Sequence, residues 1–413
     1  MATNNVAMPP LIVGKCKIMI SVLDMTIEEI KDSITAMGQP AYRADQLVDW
    51  VFKKGVGDPA AMTNLPPAMR SQVAVLTSKV AARTDSEDGT IKLLLEYENR
   101  DSGLGTRDSE RNGEDASSPK AESPIPKPAS RIPNPESRIP KSASRIECVL
   151  IPTETRATVC LSTQVGCNMG CAFCASGADG MARNLTSGEI LQQILHLQQA
   201  AGKKVTHAVF MGMGEPLANY ENTLAAVRAI VDPRRLGVSA RHVTISTVGI
   251  PKAIRRLAGE DLPVTLAISL HAPNDILRRQ LIPLAERFTI EEILSAAQYL
   301  FEARGREVTL EYVLLGGVND TPVCAEAMGK IAHRVRCNVN LIRYNPVPGL
   351  PYERPTQAAV HAFVLRLERA GVNVHVRKSR GIDAAAACGQ LRRAATENDE
   401  EKPATEDTAS DTV

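Results

Sequence analysis

Three cysteines in Gly166-Cys-Asn-Met-Gly-Cys-Ala-Phe-Cys174 stand at the spacing Cys167-x3-Cys171-x2-Cys174. Three thiolates on one tight loop can ligate three irons of a [4Fe-4S] cluster and leave the fourth iron open. No partner cysteine follows at zinc-ribbon spacing, which weakens a four-ligand zinc reading. Downstream, Met211-Gly-Met-Gly-Glu-Pro216 joins glycines, which let a backbone approach a ligand, to Glu215, which can accept from an ammonium group. Two further cysteines stand apart: Cys160, seven residues before Cys167, and Cys388 in Asp383-Ala-Ala-Ala-Ala-Cys-Gly-Gln-Leu391. Each taken alone reads as a small buried thiol.

These residues need elements to position them. From Arg156 onward, strand-like runs (157–163, 206–211, 242–247, 264–270, 308–315, 339–344, 372–376) alternate with helical segments such as 187–201, 290–303 and 358–370. Repeated βα units imply a parallel sheet with helical crossovers. Six or seven of them suggest an incomplete barrel, open on one side, with its chemistry at the C-terminal strand ends. Upstream, 26–37 and 42–54 have helical spacing broken at Gly38-Gln-Pro40, and Leu65-Pro-Pro67 opens another short helix, so residues 20–85 read as a small helical region. Strand-like 91–97 and 147–151 flank a biased stretch, 101–146, with seven prolines and a Ser-Arg-Ile repeat at Ser130, Ser137 and Ser144. This is expected to be a disordered, low-complexity insert in the turn of a β-hairpin, where closure entropy grows slowly with length.

Of the 413 residues, 44% are apolar, which excludes global disorder. Only 3% are aromatic, poor for stacking many bases of a single strand. The net charge of +1 hides a split: Thr396–Val413 carries seven acids against Lys402, leaving residues 1–395 at +7. That acidic tail is expected to be disordered. Arginine pairs such as Arg234-Arg235, Arg255-Arg256, Arg278-Arg279 and Arg392-Arg393 read singly as solvated helix faces, and together permit phosphate binding. No apolar run is long enough to span a membrane, and no secretory signal is evident, so the reducing cytoplasm is the expected location. Nine cysteines in so long a chain favour metal or thiol chemistry over a disulfide scaffold.

The triplet with Gly-Glu-Pro resembles the radical SAM superfamily, whose open iron chelates S-adenosylmethionine (SAM). Within it, Arg156–Cys174, Val376–Asp383 with Cys388–Leu391, Ser269-Leu-His-Ala-Pro-Asn274, Glu311–Leu315 with Val318-Asn-Asp320, Ile342–Pro346 and Gly38–Leu47 resemble the RlmN/Cfr family of radical SAM RNA methyltransferases. The resemblance implies an α/β fold: an incomplete (β/α)6-type barrel with a small N-terminal helical domain and a connecting β-hairpin. It divides the chain into an extension (1–20), an RNA-contacting domain with the first hairpin strand (21–100), the insert (101–146), the catalytic barrel (147–395) and the tail (396–413).

It implies metal ligation by Cys167, Cys171 and Cys174, and SAM contacts from Gly214, Glu215, Ser246, Ser269, His271 and Asn345. Cys388 would carry an S-methyl intermediate, Cys160 would resolve a protein–RNA adduct through a transient disulfide, and Glu147 would accept a proton. Two SAM molecules serve each methyl transferred. The expected partners are 23S rRNA, some tRNAs and a flavodoxin-type electron donor, with the enzyme a monomer. The family's C2-methylating branch is favoured, giving 2-methyladenosine. C8 methylation of 23S rRNA, a radical SAM activase acting on a protein, and a non-catalytic iron–sulfur RNA-binding module stand as alternatives. Cys16, Cys148, Cys324 and Cys337 take no role.

Overall fold

The computed structural model describes residues 20–97, 144–178 and 180–392. The expected extension before residue 20, the insert up to residue 143 and the acidic tail lie outside the described residues. In the small domain, β1 (Ile20–Ser21) pairs in parallel with β2 (Val73–Ala74), and α1 (Ile27–Ala36), α2 (Tyr42–Val48) and α3 (Pro67–Arg70) lie between them in the chain. Thr26-x-x-Glu29 starts α1 by reciprocal capping: the Thr26 hydroxyl accepts from Glu29 N (3.1 Å), and the Glu29 carboxylate accepts from Thr26 N (2.7 Å). The helical period puts Ile27, Ile30 and Ile34 on its buried face.

An antiparallel meander of β3 (Ser78–Asp85), β4 (Ile91–Tyr97) and β5 (Ser144–Pro152) then leads into β6 (Ala157–Cys160). Residues 78–85 belong to this meander and not to the helical region in which their sequence placed them. They are an edge strand whose side chains are mostly wet, so no apolar alternation betrays it. The β4–β5 ladder runs from Ile91 opposite Leu150 to Tyr97 opposite Ser144, so the chain leaves and re-enters the hairpin at adjacent strand ends. The third Ser-Arg-Ile copy is therefore ladder and not insert, because Ile146 buries itself opposite Leu95.

The sheet continues through β9 (His207–Phe210), β10 (Val243–Thr247), β11 (Thr265–Ser269), β12 (Val308–Leu314), β13 (Cys337–Arg343) and β14 (Val374–Arg377), each parallel to its neighbour. Between β6 and β9, a ribbon of β7 (Gln164–Gly166) and β8 (Met181–Asn184) brackets the cysteine triplet. Crossovers are made by α4 (Ser187–Ala201), α5 (Tyr220–Val231), α6 (Pro251–Ala258), α8 (Ile290–Arg304), α9 (Pro322–Ala332) and α10 (Gln357–Arg369), with α7 (Asp275–Leu281) inserted after β11. Six βα units and a seventh parallel strand thus form the incomplete barrel, with β3 and β14 as the open edges.

The small domain and the barrel share one continuous apolar core. Polar pins supplement it: Gln192 Oε1 accepts from Thr77 N and Ser78 N, both at 2.9 Å, and Asp24 Oδ1 accepts from Gly188 N at 2.7 Å. Arg235, read as half of a solvated pair, is buried and donates to the Met25 carbonyl. Among the described residues, no helix is long and apolar enough to cross a membrane.

Because the hairpin pairs fully on the described side of the insert, deleting residues 103–143 should leave folding and activity intact. Thermal melting and RNA methylation check this; retained folding with lost activity contradicts it.

Candidate active site

Strand ends and loops at the C-terminal side of the barrel line one cavity enclosing about 940 Å³, part of it open to solvent. β9 contributes Met211–Glu215 through the loop that follows it, β10 Ser246–Val248, β11 Ser269 and His271, β12 Glu311, β13 Asn345 and β14 Arg377. The triplet loop brings Cys167, Cys171 and Cys174, and the C-terminal loop brings Cys388. All six expected SAM contacts and all three expected ligands are among these residues.

The triplet loop is shaped by backbone bonds. Cys167 N donates to Gly180 O (3.0 Å), Cys174 N to Cys171 O (3.1 Å) and Ala172 N to Leu281 O (2.9 Å). Gly166, at φ 80°, lies against the Gly180 carbonyl, where a Cβ has no room. Burial pushes all three thiols up, Cys167 to about 11, and the neighbouring cysteines oppose ionisation of Cys171 further. A cationic cluster supplies the charge that lets such buried thiols ionise. Among the described residues, no three side chains gather tightly enough to hold a single ion. Three thiols carried on one loop could each ligate a different iron of a [4Fe-4S] cluster.

Arg278 was missed by the sequence reading, which placed the Arg278-Arg279 pair on a solvated face. It is 1% exposed, donates to the carbonyls of Leu270 (3.2 Å) and Val248, and sets a positive charge near Cys171. Burial lowers its own affinity for a proton to about 10.

The Gly-Glu-Pro turn is locked from both sides. Gly214 has φ 99°, and a Cβ there would lie 2.6 Å from Gln164 Cβ. Glu215 is 2% exposed; its two oxygens accept from Leu217 N (2.9 Å) and Val248 N (2.8 Å), tying the turn to the end of β10. Burial pushes the carboxyl up to about 7. His271 adopts φ 58°, a strained choice outside glycine. Its Nδ1 accepts from Val313 N at 3.0 Å, which leaves the proton on Nε2. Burial holds the ring neutral, lowering it to about 3. The Ser246 and Ser269 hydroxyls lie 3.5 Å apart on adjacent strands. Asn345 donates to the Cys388 carbonyl at 3.3 Å, while its buried Oδ1 is without a hydrogen-bond partner. An orphaned acceptor, paired hydroxyls and a glycine cradle on one cavity wall fit a nucleoside with an amino-acid tail.

Cys160 is buried at the end of β6, Cys388 is exposed on its loop, and both border a single crevice together with Arg377. The eight described cysteines are all free thiols. The Arg377 guanidinium feels Cys388, Glu311 and Cys160 in that order, each of which raises its proton affinity. It lies 3.7 Å from Glu311 Oε2 and donates to Met211 Sδ at 3.3 Å. Neither Arg377 nor Glu311 drew a role from the sequence, although both stand in family-like stretches. Glu147 is 4% exposed. Its Oε1 pairs with Lys92 Nζ (2.9 Å) and its Oε2 accepts from Arg392 N (2.6 Å).

Residues 161–325 match the model of the radical SAM superfamily, and residues 20–78 match that of the ribosomal RNA large subunit methyltransferase N-terminal domain. A probable dual-specificity RNA methyltransferase RlmN from Rhodopirellula baltica is 41% identical over 377 residues, 90% of each chain. The chain belongs to the RlmN family. A second such relative, from Symbiobacterium thermophilum, is 42% identical over 379 residues, covering 90% of this chain and 91% of the relative. The crystal structure of a radical SAM methyltransferase from Sphaerobacter thermophilus superposes with a TM-score of 0.77 at 36% identity, covering 91% of this chain and all of that one. RlmN-family membership in the radical SAM superfamily brings with it a [4Fe-4S] cluster and SAM as cofactors.

Glu215 has a testable consequence. Its folded proton affinity, about 7, lies above the ordinary 4.5, so the folded state holds this proton more tightly than the unfolded state. The stability it contributes is full below pH 4.5 and is lost as pH rises towards 7. Urea unfolding of wild type and Glu215→Gln should show their stability difference falling across that interval; a constant difference contradicts the assignment.

Proposed function

We propose that this chain methylates C2 of an adenosine in 23S rRNA and in some tRNAs, acting as a cytoplasmic monomer fed by a flavodoxin-type electron donor. In this reading residues 21–100 contact RNA and 147–395 are the catalytic barrel. Support comes from one observation above the others: Cys160 and Cys388, distant in sequence, border the crevice that adjoins the triplet's cavity. An activase acting on a protein has no need of that thiol pair.

When bound, the cluster and SAM supply a 5′-deoxyadenosyl radical and a transferable methyl group. Cys167, Cys171 and Cys174 hold the cluster, while Gly214, Glu215, Ser246, Ser269, His271 and Asn345 hold SAM. The Cys388 thiolate displaces a methyl group from one SAM, forming its S–CH3 bond as the sulfonium C–S bond breaks. That S-methyl group would lose a hydrogen atom to the radical supplied from a second SAM; its carbon would add to C2 of the adenine, tethering RNA to protein, and the odd electron left on the adduct would return to the cluster held by Cys167, Cys171 and Cys174. Glu147 accepts the proton leaving C2. Since its oxygens are engaged by Lys92 and Arg392 N, one of these partners must move first. Cys160 then attacks the Cys388 sulfur; the electron pair of the broken S–C bond stays with the carbon, which takes one proton from solvent to become the methyl group, and a transient Cys160–Cys388 disulfide remains. Burial pushes the Cys160 thiol up to about 12, and the Arg377 charge beside it opposes that rise in part.

Nucleoside mass spectrometry of 23S rRNA and tRNA treated with reduced, reconstituted protein tests this reading. Wild type should yield 2-methyladenosine, and Cys388→Ala none. Cys160→Ala should accumulate a covalent protein–RNA species. 8-Methyladenosine would move the chain to the C8 branch, and full methylation by Cys388→Ala would end the relay mechanism.

A further inference from the structure

Cys388 lies in residues 378–392, a segment without helix or strand, and its side chain is exposed. Packing alone therefore does not fix the thiol. The loop is instead fastened at its start to the turn between β3 and β4. Asp383, on the loop, accepts from Glu87 N (3.0 Å) and from the Ser86 hydroxyl on the turn. Asp88, on the turn, accepts from Gly381 N (3.0 Å) on the loop and lies 3.8 Å from Arg380. Each segment thus lends a carboxylate to a backbone N–H of the other. The approach is close: a Cβ on Gly381 would lie 2.9 Å from Thr90 Cγ2 and 2.8 Å from Ala386 Cβ. Charge-assisted bonds of this type are the stronger class and hold direction as well as distance.

We propose that this reciprocal clasp makes Asp383 and Asp88 positioning residues for Cys388, setting where its thiol stands relative to Cys160 and the cavity. The proposal rests on the reading of Cys388 as the methyl-carrying thiol. The clasp acts on the loop start, five residues before Cys388, while Ala175 N (2.8 Å to Gly389 O) holds the loop just beyond it. Neither acid lines the cavity. Loosening the clasp leaves the thiol chemically intact but enlarges the volume it samples, which lowers the fraction of time spent in reacting geometry.

The test uses Asp383→Ala holoenzyme, with Ser86→Ala as a milder variant that removes one hydroxyl donor, and Asp383→Asn as the conservative replacement. Two readouts are taken on protein whose melting shows it folded: the iodoacetamide alkylation rate of Cys388, located by peptide mapping, and steady-state RNA methylation. Asp383→Ala should alkylate several-fold faster and lose about tenfold in kcat, with KM for RNA within about twofold. Asp383→Asn and Ser86→Ala should fall between it and wild type. Wild-type alkylation and turnover in both alanine variants would overturn the clasp. Faster alkylation with wild-type kcat, or lost kcat with unchanged alkylation, would overturn its positioning role. Alkylation is read on protein kept from SAM, whose Cys388 is a free thiol able to react, so it reports the loop independently of methyl transfer; failure of the clasp is then distinguishable from failure of the relay, which Cys388→Ala alone reveals.

Discussion

Ala175 N donates to Gly389 O at 2.8 Å, and the Ser176 hydroxyl donates to Leu391 O at 2.9 Å across 215 positions of sequence. These two bonds join the end of the cysteine-triplet loop to the Cys388 loop. Everything else in the fold serves that juxtaposition. The parallel strands bring their C-terminal ends to one rim, the β7–β8 ribbon closes the base of the triplet loop, and the meander moors the far side of the Cys388 loop. A methyl relay between two thiols and a radical source works only if all three share one small volume, and irregular loops share a volume only when such bonds specify it.

The second constraint is charge in a buried place. The site collects thiols, three buried carboxyls and two guanidinium groups, and each buried group costs desolvation unless it is partnered. Arg278 serves carbonyls and Cys171 at once, Arg377 lies between Glu311, Cys160 and Cys388, and Glu147 is met by Lys92. His271 meets the problem by staying neutral, with Nδ1 fixed by Val313 N. Among the residues lining the cavity, Asn345 Oδ1, Glu311 Oε2 and the Tyr344 hydroxyl are buried without hydrogen-bond partners.

Much of this was legible in the sequence, for identifiable reasons. Triplet spacing is a local property of a loop, so Cys167, Cys171 and Cys174 were readable at once. Helices such as Ser187–Ala201 carry both period and caps in sequence, and their bounds matched. The signals that failed were those whose partners lie far along the chain. Arg278 sits in an arginine pair on a short helix, which locally reads as solvated; only the carbonyls of Val248 and Leu270 explain its burial. The ion pair of Glu147 with Lys92, on the neighbouring strand, has no local signal either. Strand β3 escaped because an edge strand with wet side chains has no apolar alternation to show. Asp383 and Asp88 drew no role, since neither segment alone reveals that it clasps the other.

The claim at the centre of this account is that Cys388 is the atom through which the methyl group passes. Peptide mapping of reconstituted, reduced protein incubated with trideuteromethyl-SAM before and after addition of RNA tests it most directly. The account predicts label on the Cys388 peptide before RNA is added, and its later appearance in the RNA with two of the three deuteriums retained from the transferred methyl. Labelled RNA from a protein whose Cys388 never carries label, or retention of all three deuteriums, would contradict it.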